Sequence, residues 1–151
     1  MAADLADLAK NALIGELEKL RDEVRQLAEP LTDEQLWRKP LESSNAVGHL
    51  ILHLTGNLNH FVGACLGNTG YVREREREFT EANVPSKTGL LAGLDAAVAT
   101  FRRVVSGLTP DQLAAPHPDA RFGLVLTALT RLLTHFALHR GQMSYIVRMV
   151  K

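Results

Sequence analysis

The chain is short of cysteine, of net charge and of long apolar runs. Only one of its 151 residues is a cysteine, Cys65. A single thiol closes no intramolecular disulfide and supplies no paired thiolates for a cysteine-based zinc site. Together with the reducing setting that free thiols favour, this predicts a cytoplasmic protein. Lys and Arg number 17 and Asp and Glu number 17, so the formal charge is zero. No global field draws such a chain to nucleic acid or to an anionic membrane, and neither partner is expected. No stretch approaches the roughly 18 uninterrupted apolar residues of a membrane span. The opening MAADLADLAK carries acids where a secretory signal has bases.

What the chain does have is helical periodicity. Leu13, Leu17, Leu20, Val24 and Leu27 keep the i, i+4, i+7 rhythm and predict a first helix that Pro30 closes. A connector, LTDEQLWRKP, follows, with Thr32 as an N-cap and Pro40 at its end. A second helix, apolar almost all round, is predicted from near 43–45 to the Gly-Asn-Thr-Gly stretch at 67–70. The charged segment YVREREREFTEANVPS reads as a long surface loop. A third helix spans Lys87 to Ser106 with Leu90, Leu94, Ala97, Phe101 and Val105 at core spacing. LTPDQLAAPHP then echoes the first connector, which predicts a helix–connector–helix unit used twice. The last helix is predicted from Arg121 to Met149, with Val125, Leu129, Leu132, Phe136, Met143 and Ile146 inward. Almost nothing alternates like a strand. The reading is all-α: one domain, residues 1–151, built as a four-helix bundle around a single core.

Histidines interrupt two of the apolar stripes. His135 and His139 lie in LLTHFALHRGQ, and His49 and His53 lie in VGHLILHL, with His60 seven beyond His53. Residues four apart on a helix sit on one face about 6 Å from each other. Each helix therefore presents an imidazole pair toward a shared core. A lone buried histidine is most often satisfied by a backbone carbonyl or a water. Several converging on one core have another shared partner, a divalent metal. A His-x-x-x-His pair supplies two ligands, and a nitrogen from another helix completes a face. Three protein ligands leave a position open, the catalytic form of such a site. The pair lacks the Glu of the metalloprotease helix, so that chemistry is not indicated.

SSNAVGHLILHLTGNL followed by THFALHRGQ resembles the DinB/YfiT-like metalloenzyme superfamily. The resemblance covers residues 43–146, and includes an LHL-x-GN-L motif at Leu52 to Leu58 and a charged R-x-R-x-x-EF segment at Arg73 to Phe79. It implies a four-helix bundle of up-down-down-up topology, with a metal held by His53, His135 and His139. It further implies zinc or nickel as the ion, a homodimer, and a transferase role using a low-molecular-weight thiol on a small-molecule substrate. A metal-dependent hydrolase and a non-catalytic metal-binding stress or interaction protein are the alternatives. No Asp or Glu adjoins the histidines in sequence as a general base, which favours thiol transfer over hydrolysis.

His49 is one turn before His53 and is a fourth ligand, a donor behind the ligands or an entrance group. His60, about 10 Å further along the helix, reads as structural. Cys65, about 18 Å along and turned away, reads as a small buried hydrophobe. Asn57 is expected in a helix–helix hydrogen bond, or facing the metal pocket. Arg140 is expected in a salt bridge, Gly141 at a close helix approach, and Gln142 on a loop carbonyl. Trp37 is expected to pack the connector onto the bundle. The Arg73–Glu78 run reads as a solvated face, with a lid over the pocket as the second reading.

Overall fold

The computed structural model describes residues 4–80 and 82–151. Helix α1 is Leu5–Ala28, capped by the Asp4 carboxylate. Its buried stripe is Ile14, Leu17, Leu20, Val24 and Ala28. Leu13 and Leu27, expected in that stripe, are only partly buried at its edge. The inward face thus lies one residue further on at both ends. A short helix, α2 (Asp33–Trp37), follows.

Helix α3 begins at Val47 rather than near 43–45. Ser44 is committed to a turn instead, its Oγ accepting from the Leu41 amide and donating to the Leu41 carbonyl. After Leu58 the helix continues through a π segment, Asn59–Ala64, and a last turn, Cys65–Gly67. Asn68 stops it in the left-handed region at φ 51°, a conformation asparagine tolerates. The Thr69 amide then closes back on the Gly63 carbonyl at 3.1 Å.

The stretch expected to be loop contains a short helix, α4 (Arg77–Thr80). Helix α5 is Lys87–Ser106, α6 is Pro110–Ala114 and α7 is Val125–Val150. The last helix starts later than Arg121 because Ala120–Phe122 form a 3-10 turn and Gly123 takes φ 72°. A helix cannot pass through that value, and glycine adopts it without penalty. The two echoed connectors are one device: Thr32 with Gln35, and Thr109 with Gln112, each form a capping box. Leu36 and Leu113 from these turns are buried against the bundle. Among the described residues no strand forms, only an isolated bridge between Pro116 and Leu124.

Side-chain contacts fix the helix directions. Lys10 reaches the Ser106 and Leu108 carbonyls while Arg25 pairs with Asp95, so α1 and α5 are antiparallel. Leu5 lies near Leu124 and Glu23 pairs with Arg140, so α1 and α7 are parallel. His53 meets His135 and Phe61 meets Phe122, so α3 opposes α7. Thr55 adjoins Gly93 and Gly67 adjoins Val104, which makes α3 and α5 parallel. The result is the up-down-down-up bundle, with Leu17, Leu54, Leu94, Phe101, Leu129 and Phe136 in its core. No helix among the described residues is long and apolar enough to cross a membrane.

Trp37 packs α2 onto the start of α3, as expected. A Cβ placed on Gly48 would meet the indole carbons at 2.6 Å, so this glycine is the seat of the ring. Trp37 is the only tryptophan. Gly48→Ala is therefore expected to shift the tryptophan emission to the red and to cost about 1–3 kcal/mol in denaturant unfolding.

Candidate metal centre

His53 from α3 and His135 and His139 from α7 converge. His53 Nε2 is 3.1 Å from His135 Nε2, and His139 Nε2 is 3.0 Å from the same atom. The three potential ligand atoms lie within 4.8 Å of one another. The outer nitrogens settle which way the lone pairs face. His53 Nδ1 donates to Glu78 Oε1 at 2.9 Å, and His139 Nδ1 donates to Gln142 Oε1 at 2.7 Å. With the proton held outside, each Nε2 presents a lone pair inward. His135 Nδ1 is buried with no hydrogen-bond partner. Zinc–nitrogen bonds of about 2.0–2.1 Å at tetrahedral angles place ligand nitrogens roughly 3.3 Å apart. The donor set, its orientation and its spacing fit a divalent transition ion with small adjustments of side-chain torsion.

Electrostatics disfavour a proton on the two α7 histidines. Burial, then the neighbouring His139 and His53 and the Arg73 and Arg75 charges, push His135 down to about 4. Burial also lowers His139, against the opposing bond to Gln142. Neutral imidazole is the form that ligates.

Behind His53 stands a carboxylate. Burial pushes Glu78 up, but its hydrogen bonds to His53 and Arg73 and the Arg73 charge outweigh this and hold it below the ordinary range. The Arg73 guanidinium grips it through Nε to Oε2 and Nη2 to Oε1, both at 2.8 Å. The expected solvated face is thus corrected in part: Glu78 is buried and Arg73 half-buried, while Glu74, Arg75, Glu76 and Arg77 stay exposed. Gly56 makes room, since a Cβ there would lie 2.1 Å from Glu78 Oε2. Gly56 is three residues after His53 on the same face. A missing side chain beside a buried histidine was the signal in the sequence that a carboxylate enters there.

The remaining histidines lie elsewhere. The His49 Nδ1 accepts from the Ala46 amide at 3.3 Å and its ring stands edge-on to Trp37, so it caps α3 and is not in the cluster. His60 stacks edge-on to Phe61. His117 is buried, bonded to the Phe61 carbonyl and the Asp119 amide. Cys65 is partly buried, and burial raises its thiol. Arg140 pairs with Glu23 at 3.2 Å, as expected of a salt bridge. Gly141 faces open space rather than a close helix approach, and Gln142 holds His139 rather than a loop carbonyl. Asn57 is buried, and among the described residues no helix–helix hydrogen bond holds it. It lines a cavity of about 550 Å³ together with His53, Phe61, Arg73, Arg75, Arg121, Phe122, Arg131 and His135. That volume suits a small molecule.

A family model described as Mycothiol-S-transferase matches residues 12–149. The chain belongs to the Mycothiol-S-transferase family, a DinB-like family of metalloenzyme type. All three clustered histidines of this family member, and Glu78 and Gln142 behind them, fall inside the matched region. Its fold is similar to the crystal structure of a conserved protein from Enterococcus faecalis, with a TM-score of 0.76 at 17 % identity. That likeness covers 99 % of this chain and 98 % of the other. No curated protein matches the chain.

One solution property of this Mycothiol-S-transferase family member follows from its cluster. The folded chain holds His135 neutral down to about 4, whereas an unfolded histidine takes up a proton at 6.5. Between those values the unfolded state binds more protons, so acid favours unfolding. The metal-free protein is expected to lose stability as pH falls through that window, read by denaturant midpoints, and His135→Ala is expected to flatten the loss.

Proposed function

We propose that the protein is a divalent-metal-dependent transferase that joins a low-molecular-weight thiol to an electrophilic small molecule. His53, His135 and His139 are the ligands, and zinc or nickel is the ion. The observation that carries this reading is the convergence of three inward Nε2 atoms on one wall of a cavity, in a chain of the Mycothiol-S-transferase family. When bound, such an ion lowers the pKa of a coordinated thiol and so supplies a nucleophile at neutral pH.

The residues of the chain do the rest. Glu78 fixes the tautomer and orientation of His53, and Arg73 keeps Glu78 ionised. Gln142 does the same for His139. With His49 committed to capping α3, three protein ligands leave room for a thiol. His53 and His135 form part of the cavity wall, so a molecule bound there lies beside the reacting sulfur. Among the described residues no Asp or Glu lines that cavity. Glu78, the nearest carboxylate, is engaged by two partners, which leaves no free base to activate a water. This supports thiol transfer over hydrolysis.

Metal analysis of protein purified without an affinity tag is expected to find about one ion per chain, and His135→Ala to lose it. Thiol consumption with electrophile present is expected to follow the metal content. Hydrolysis without thiol consumption points instead to the hydrolase, and a bound ion with neither activity points to a non-catalytic brace. Glu78→Gln is expected to weaken metal binding by about 10–100-fold in competition with a chelating dye. An unchanged affinity contradicts the role given to Glu78.

A further inference from the structure

The cavity beside the histidines is far from neutral, although the chain as a whole is. Four guanidinium groups line it: Arg73, Arg75, Arg121 and Arg131. Two are spent on carboxylates, Arg73 on Glu78 and Arg121 on Asp119. The other two are not. Arg75 lies over the Phe79 ring at 5.8 Å and has no carboxylate partner among the described residues. Arg131 lies over the Phe122 ring at 5.1 Å and gives one N–H to the Arg121 carbonyl at 2.8 Å. The rest of its fork has no carboxylate to meet among the described residues. Phe61 and Phe122 supply the apolar part of the lining, edge-to-face at 4.8 Å. Two aromatic rings and two unneutralised guanidiniums around one small-molecule cavity are complementary to an amphipathic anion. Arginine's planar fork matches a carboxylate through two parallel hydrogen bonds.

We propose that the electrophilic substrate is a small molecule with an apolar body and a carboxylate, held by Arg75 and Arg131 with its reactive carbon toward the histidines. The proposal rests on the transferase reading for the word electrophile. The three imidazoles would hold the ion and the ion the thiol sulfur, so the cavity that shares the His53 and His135 wall is left for the other reactant. In the reaction the thiolate sulfur forms a bond to that carbon, and the leaving group departs with the electron pair of the bond that breaks. The thiol proton passes to solvent.

The test compares para-toluate with para-toluamide, an unreactive pair of nearly equal shape that differs in charge. Calorimetric titration of the zinc-loaded protein is expected to favour the carboxylate by about tenfold or more, the size of a charge-assisted pair. The preference is expected to shrink in Arg75→Gln and in Arg131→Gln and to vanish in the double variant. Circular dichroism and thermal unfolding check that each variant folds. Equal binding of the two compounds overturns the proposal. So does a preference that survives both substitutions, because the carboxylate is then held by the ion.

The reactive counterparts, para-carboxybenzyl bromide and para-carbamoylbenzyl bromide with mycothiol, separate this proposal from the reading beneath it. Faster thiol consumption with the acid supports both. Equal rates overturn the carboxylate proposal and leave the transferase standing. No enzymatic turnover of either, with the toluate preference and its arginine dependence intact, overturns the transferase and leaves the anion site.

Discussion

Three imidazole nitrogens face one another at about hydrogen-bond distance, and the rest of the structure serves to hold them there. Such an arrangement is unfavourable on its own. His135 Nε2 can donate to only one of the two nitrogens beside it, and its Nδ1 is buried without a partner. A shared cation would offset that cost, and two outer hydrogen bonds keep the rings from rotating away. One helical turn sets the distance between His135 and His139. The antiparallel contact of α3 with α7 brings His53 to them. The Ser44 turn and Asn68 fix where the helix that carries His53 begins and stops, and Gly123 fixes where α7 begins.

Behind the histidines the electrostatics run in series. Arg73 keeps Glu78 ionised, Glu78 orients His53, and His53 points its free nitrogen at the common centre. The chain has no charge overall, yet it concentrates cations around the adjoining cavity. On the proposed reading, a substrate entering there would meet both the guanidinium groups and the imidazoles of the cavity wall. On that reading, the part of the protein that grips would be separate from the part that reacts.

Much of this was legible in the sequence. The four long helices follow from apolar periodicity, and the imidazole pairs follow from the angular step of a helix. The resemblance supplied His53 as the third member, and the coordinates bring it to the other two. What escaped was non-local or depended on one backbone angle. Glu78 pairs with a residue 25 positions away, and an alternating Arg-Glu run does not say which member turns inward. The late start of α7 depends on the φ of Gly123. His49 has the spacing of a ligand but serves as a cap, because the first turn of a helix has unpaired amides to satisfy. The arginines of the cavity come from three separate stretches, so no window of sequence shows them together.

The measurement that bears most directly on the account is X-ray absorption at the metal edge of protein loaded with one equivalent of zinc. The account predicts three imidazole nitrogens at about 2.0–2.1 Å and one further light atom, with no protein sulfur. A shell with fewer than three imidazoles, or one containing the Cys65 sulfur, would contradict it.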